Sequence, residues 1–164
     1  MRKLILLAFI CFMSYTVCAQ VPTRPDWTTW DYRPFTDEMT SRITNSAMVF
    51  AEYKLDVSGS DFPVSLLIRK SDISETVSLM SDDLVQFTAF DGRKFVNMRF
   101  DDNPMESVDF IYVNANKLML IKFENPETLV AKIKHAHILR IQAAFGADGI
   151  RVMRFDVRNL SATY

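Results

Sequence analysis

Apolar and polar residues alternate in short runs along most of this chain, and Gly, Pro, Asn and Asp separate the runs. A two-residue period predicts half-buried strands. Met48, Phe50, Tyr53, Leu55 and Val57 carry it through residues 46–57, with a phase shift near Ala51 that suggests a bulge. Ser58-Gly59-Ser60-Asp61 then reads as a turn. Further strands are predicted over 63–70, 75–80, 84–90, 94–101, 107–113 and 117–123. Asp91-Gly92 between two of them is a hairpin signal.

The period changes once. Asn125-Pro126-Glu127 reads as a helix start, with Asn as N-cap, Pro at the first helical position and Glu at the positive helix end. Leu129, Val130 and Ile133 supply an apolar stripe, and the helix is predicted over 126–136. Two strands, 137–145 and 150–157, follow around Gly146-Ala147-Asp148-Gly149. The fold class is therefore mainly β: a β-sandwich of about eight to nine short antiparallel strands, with one α-helix in the C-terminal half.

The N-terminus breaks the alternation. Arg2 and Lys3 precede an uncharged apolar run from Leu4 to Met13, and Val17-Cys18-Ala19 offers a small-residue cleavage pattern. This predicts a signal peptide over 1–19, cut after Ala19, and a periplasmic or secreted protein. A membrane span needs about 20 apolar residues, roughly twice this run. No later segment is long and apolar enough to span either. A lipid anchor on Cys18 would require a small residue where Val17 stands, so the unanchored form is expected. Cys11 and Cys18 are the only cysteines, and cleavage removes both. The mature chain can use no disulfide, catalytic thiol or thiolate metal site.

Residues 20–36 hold Pro22, Pro25, Pro34, Trp27 and Trp30, which predicts an arm outside regular structure. The domain proper is expected over 37–160, with 161–164 as a tail. The two Trp residues either cover the core or form a platform for a small ligand or glycan. Arg2 and Lys3 are two of the 19 basic residues, while none of the 20 acidic ones lies in the leader. The mature chain is thus mildly acidic, which disfavours a nucleic-acid partner.

Arg99 and Asp101 lie two apart and so would share one strand face, with Arg69 ending another strand. These three could recognise an anion or carboxylate, or form a cross-strand ion pair. His135 and His137 are too few to hold a metal without carboxylate help. Asp82-Asp83 and Asp101-Asp102 read as turn acids. There is no G-x-S-x-G or S-x-x-K, and four glycines make no phosphate loop. No enzyme activity, metal or cofactor is expected.

The order of motifs resembles the VasI-like proteins, small exported bacterial domains associated with type VI secretion. Asp37-Glu38-Met39-Thr40 with Val49-Phe50-Ala51 is similar to that family's opening. Leu67-Ile68-Arg69 and Thr76-Val77-Ser78-Leu79 are similar to a following strand pair. Val96-Asn97-Met98-Arg99-Phe100-Asp101-Asp102, Leu139-Arg140-Ile141 and Phe155-Asp156-Val157-Arg158-Asn159-Leu160 complete the likeness. The chain departs from it at Lys70, where the family often has Cys, and at Asn159, where it often has Gly. The resemblance implies a β-sandwich accessory protein of the bacterial envelope and carries over no activity. With the absence of catalytic motifs, it leads to the expectation of a non-enzymatic protein that binds a protein partner, accessory to a secretion or surface apparatus. A ligand-binding module at Trp27 and Trp30, and a phage- or plasmid-encoded protein that blocks competing elements, are the alternatives.

Overall fold

The structure, a computed structural model, describes residues 29–36, 42–57, 60–82, 87–90, 92–115, 118–146 and 149–161. The expected leader, Trp27, the turn at Asp37-Glu38-Met39-Thr40 and Asp83 lie outside them. Strands β1 (Asp31–Thr36), β2 (Ile43–Phe50), β3 (Leu55–Val57), β4 (Ser60–Phe62), β5 (Val64–Lys70) and β6 (Glu75–Asp82) form the first half. Then come β7 (Phe87–Thr88), β8 (Phe95–Phe100), β9 (Glu106–Ala115), β10 (Leu118–Phe123), helix α1 (Pro126–His135), β11 (Ile138–Phe145) and β12 (Gly149–Asp156).

Ten of these strands make one antiparallel sheet, strongly curled into a half-barrel. Its order is β1-β2-β5-β6-β10-β9-β8-β11-β12, with β7 beside β11, while β3 and β4 pair only with each other. The expected two stacked sheets are replaced by this continuous one, and β9 is the reason. Its residues Phe110–Ala115 pair with β10, and Glu106–Asp109 pair with β8. One long strand thus joins both halves, and accumulated twist curls the whole.

Alternation places the core on the concave face. In β11, Leu139, Ile141, Ala143 and Phe145 are buried, and Arg140 and Gln142 lie between them. Val96, Met98 and Phe100 do the same in β8. Leu129, Val130 and Ile133 of α1 pack into this cluster as the stripe predicts. The helix start differs in detail. Asn125 stands at the cap position but adopts φ 53 and makes no side-chain cap bond, so Pro126 and Glu127 carry the start signal. The other departures are local. Phe90 and Arg93 exchange backbone bonds around Gly92, whose φ of 79 suits the tight turn. The following ladder does not form, because Phe87–Thr88 pairs with β11 instead of β8.

The predicted irregular arm is also corrected. Its described end is strand β1, paired with β2 from Asp31↔Met48 to Thr36↔Ile43. Pro34 is compatible with this because β1 is an edge strand, where a missing N–H need not break the ladder.

The half-barrel is closed at one corner. The Trp30 indole N–H donates to the Arg158 carbonyl at 3.1 Å and lies 3.4 Å from that of Val157. The Tyr32 hydroxyl donates to the Asn159 carbonyl at 3.2 Å and accepts from the Ser161 N–H at 2.8 Å. Asn159 makes this turn at φ 61, a conformation that Asn and Gly both accept. The Glu52 N–H donates to the Arg154 carbonyl at 2.8 Å, and their side chains form an ion pair.

Candidate functional site

The sheet ends on β1 and β12, and the two edges are built differently. Natural edges are guarded by charge, proline or brevity, because unpaired N–H and C=O groups invite another strand. β1 has two of these guards, Pro34 and the Arg33–Asp31 ion pair at 2.6 Å. β12 carries one exposed charge, Arg151, in its first half, and only its second half is covered, where Glu52 meets Arg154.

The phase of the remaining edge follows from two hydrogen bonds. In an antiparallel ladder a residue's N–H and C=O point the same way, and the direction alternates along the strand. The Arg154 carbonyl points at Glu52, away from β11, while Val157 N–H donates to His137 at 2.9 Å, toward β11. Val152 and Ile150 therefore share the outward phase of Arg154. The Ile150 carbonyl is met only by the side chain of its neighbour, Arg151, at 3.2 Å. Among the described residues the Val152 N–H and C=O and the Ile150 N–H meet no partner on that side. The two side chains flanking them are apolar and 49% and 60% exposed for Ile150 and Val152.

Beside this edge lies a row of three guanidinium groups on the convex face. Register places Arg99 of β8 opposite Arg140 of β11, and Arg140 opposite Arg154 of β12. Like charges facing across strands destabilise a sheet unless each is satisfied elsewhere. Each is. Arg154 pairs with Glu52, Arg140 donates to the Asp101 carbonyl at 2.8 Å, and Arg99 donates to the Asn103 carbonyl at 3.1 Å and faces Asp102 at 3.6 Å. The next row, Ser107–Asn97–Gln142, is linked by bonds of 2.9 Å and leads directly to Val152.

The sequence candidates fare unevenly. Arg99 and Asp101 do not share a strand face, because β8 stops at Phe100 and Asp101 turns to φ 49. The Asp101 carboxylate accepts from the Ile138 N–H at 2.8 Å and the His137 N–H at 2.9 Å. Those bonds, Ile138 first, hold its carboxyl below the usual range. Asp101 is thus a joint between β8 and β11. Arg69 is exposed on β5, with three strands between it and β8, and is no part of this cluster. Trp30 is 8% exposed with its N–H engaged, so its ring offers no platform, and it belongs to the core. Arg140 and Arg154 were missed. Alternation around Leu139, Ile141, Met153 and Phe155 puts both on the polar face, but only register shows that they are neighbours.

A groove of about 630 Å³ runs between α1 and the turn after β8. Phe100, Pro104, Met105 and Ala131 give it apolar walls, and His135 stands on its rim side from the helix end. Lys132 reaches across to Glu106 at 2.7 Å and lies 5.8 Å over the Phe100 ring. This ion pair separates the groove from a smaller acidic hollow beside Asp109 and Glu124. Among the described residues no group of three His, Cys, Asp or Glu side chains could hold a metal, and no helix is long and apolar enough to cross a membrane. Comparison with protein families, with characterised proteins and with solved structures finds no match.

Proposed function

We propose that this is an exported, non-enzymatic protein of the bacterial envelope that works by binding another protein, whose strand adds to β12. One observation carries the reading. The first half of β12 presents outward N–H and C=O groups between exposed apolar side chains, while the opposite edge is guarded. Strand addition takes its affinity from such main-chain groups and its selectivity from the alternating side chains. The resemblance to VasI-like proteins supports a role accessory to a secretion or surface apparatus, and the leader pattern supports the location.

Val152→Pro tests the reading. It removes an outward N–H that takes no part in the β11 ladder, so folding is preserved while an added strand loses a donor. Periplasmic extract passed over immobilised wild-type protein should yield a reproducible partner that the variant fails to retain. Equal retention, or none by either protein, overturns the proposal.

The groove beside α1 favours a second reading, a small-ligand module. Its size falls within the range of small-molecule sites, and it replaces the Trp27/Trp30 platform as the place such a ligand would sit. Binding of an apolar probe that Met105→Glu abolishes would support it.

A further inference from the structure

The chemistry of the segment that β12 accepts can be read from the same strand. This inference rests on the edge reading above and goes beyond it by specifying the partner.

Ile150 and Val152 project from the convex face, with Arg151 between them on the concave side. Arg151 is exposed near the start of β12, two and four residues before the buried Met153 and Phe155. Its ladder neighbour on β11 is Ala143, which brings no charge. Among the described residues no carboxylate pairs with it, and its only bond is to the Ile150 carbonyl beside it. Every other arginine of the β12 end has an acidic partner: Arg154 has Glu52 and Arg158 has Asp156.

Glu52 already shows how this edge is read. It approaches β12 from outside, gives its N–H to the outward carbonyl of Arg154, and pairs its carboxylate with the arginine side chain. An added strand would repeat that approach at Val152 and Ile150. Directly opposed residues lie on one face, so the strand would set apolar side chains against Ile150 and Val152. The residue between them would fall opposite Arg151.

We infer that the partner segment is an extended apolar–acidic–apolar strand, with an Asp or Glu facing Arg151. A second copy of this chain fits poorly. Antiparallel self-pairing that sets Ile150 against Val152 places Arg151 opposite Arg151, a like-charge contact that costs stability.

A displayed library of random eight-residue segments, selected on the mature protein, tests this, with Val152→Pro and Arg151→Glu as parallel targets. On wild type the enriched segments should carry Asp or Glu between two apolar residues. On Arg151→Glu the central residue should change to Lys or Arg. Replacing the central acid by Lys in a selected peptide should weaken its binding to wild type roughly two- to fivefold, the range of an exposed ion pair. Enrichment that disappears on Val152→Pro but shows no central charge preference overturns this inference and leaves the edge reading standing. Selections that do not differ between wild type and Val152→Pro overturn both, as does an edge occupied by a second copy in solution.

Discussion

Asp101 and Asp156 show how much can depend on single carboxylates. Asp101 holds two backbone N–H groups at the start of β11. The Asp156 side chain, 6% exposed, receives Arg158, whose hydrogen bond lowers its pKa. Both groups sit below the ordinary carboxyl range when folded. Folding therefore favours their ionised forms. That stabilisation is complete above the unfolded value of about 3.9 and is lost as pH falls through the lowered folded values. Urea midpoints should stay level at neutral pH and drop in acid, and the drop should shrink in Asp156→Asn. Asp101→Ala should lower the midpoint more than Asp101→Asn, because Asn keeps an acceptor and tolerates positive φ. Neither role was legible in the sequence. Asp101 stands at the end of an alternating run, and only the position of the Ile138 N–H distinguishes a joint from a strand residue.

At the scale of elements, α1 and β12 give contrasting tests. Ile133 is fully buried among core residues, so Ile133→Ala should cost about 2–5 kcal/mol in urea denaturation. The helix was legible because its stripe, its Pro and its Glu are local signals. For β12, Val152→Pro should leave the midpoint nearly unchanged. Met153→Pro, one residue on, should lower it strongly, since that N–H serves the β11 ladder and the side chain is buried. Similar midpoints for the two variants would show that the phase is wrong. The sequence marked this strand by its alternation and its glycine turn. It could not show which half was free, because Glu52, which covers the other half, is about a hundred residues away in the chain.

Across the whole molecule, stability depends on the corner where Trp30, Tyr32 and Glu52 meet residues 154–161. Trp30→Ala should cost about 3–5 kcal/mol, the usual loss for a buried aromatic. It should also raise hydrogen exchange in β1 and the end of β12 before the rest of the sheet. The leader proposed over residues 1–19 is tested by intact mass: protein recovered from outside the cytoplasm should begin at Gln20. What the sequence determined by itself is the set of local decisions: mainly β, most strand positions, one late helix and which residues of each strand face the core. These follow from periodicity, turn residues and composition, each confined to a few neighbours. The tertiary structure alone decided that β9 joins two expected sheets into one. It decided that Trp30 is buried, and that Arg99 stands beside Arg140 and Arg154 instead of Arg69. It also decided which edge is guarded and which is free. Each of these depends on strand order and register, which are set by hydrogen bonds between residues far apart in the chain, and no local pattern encodes them.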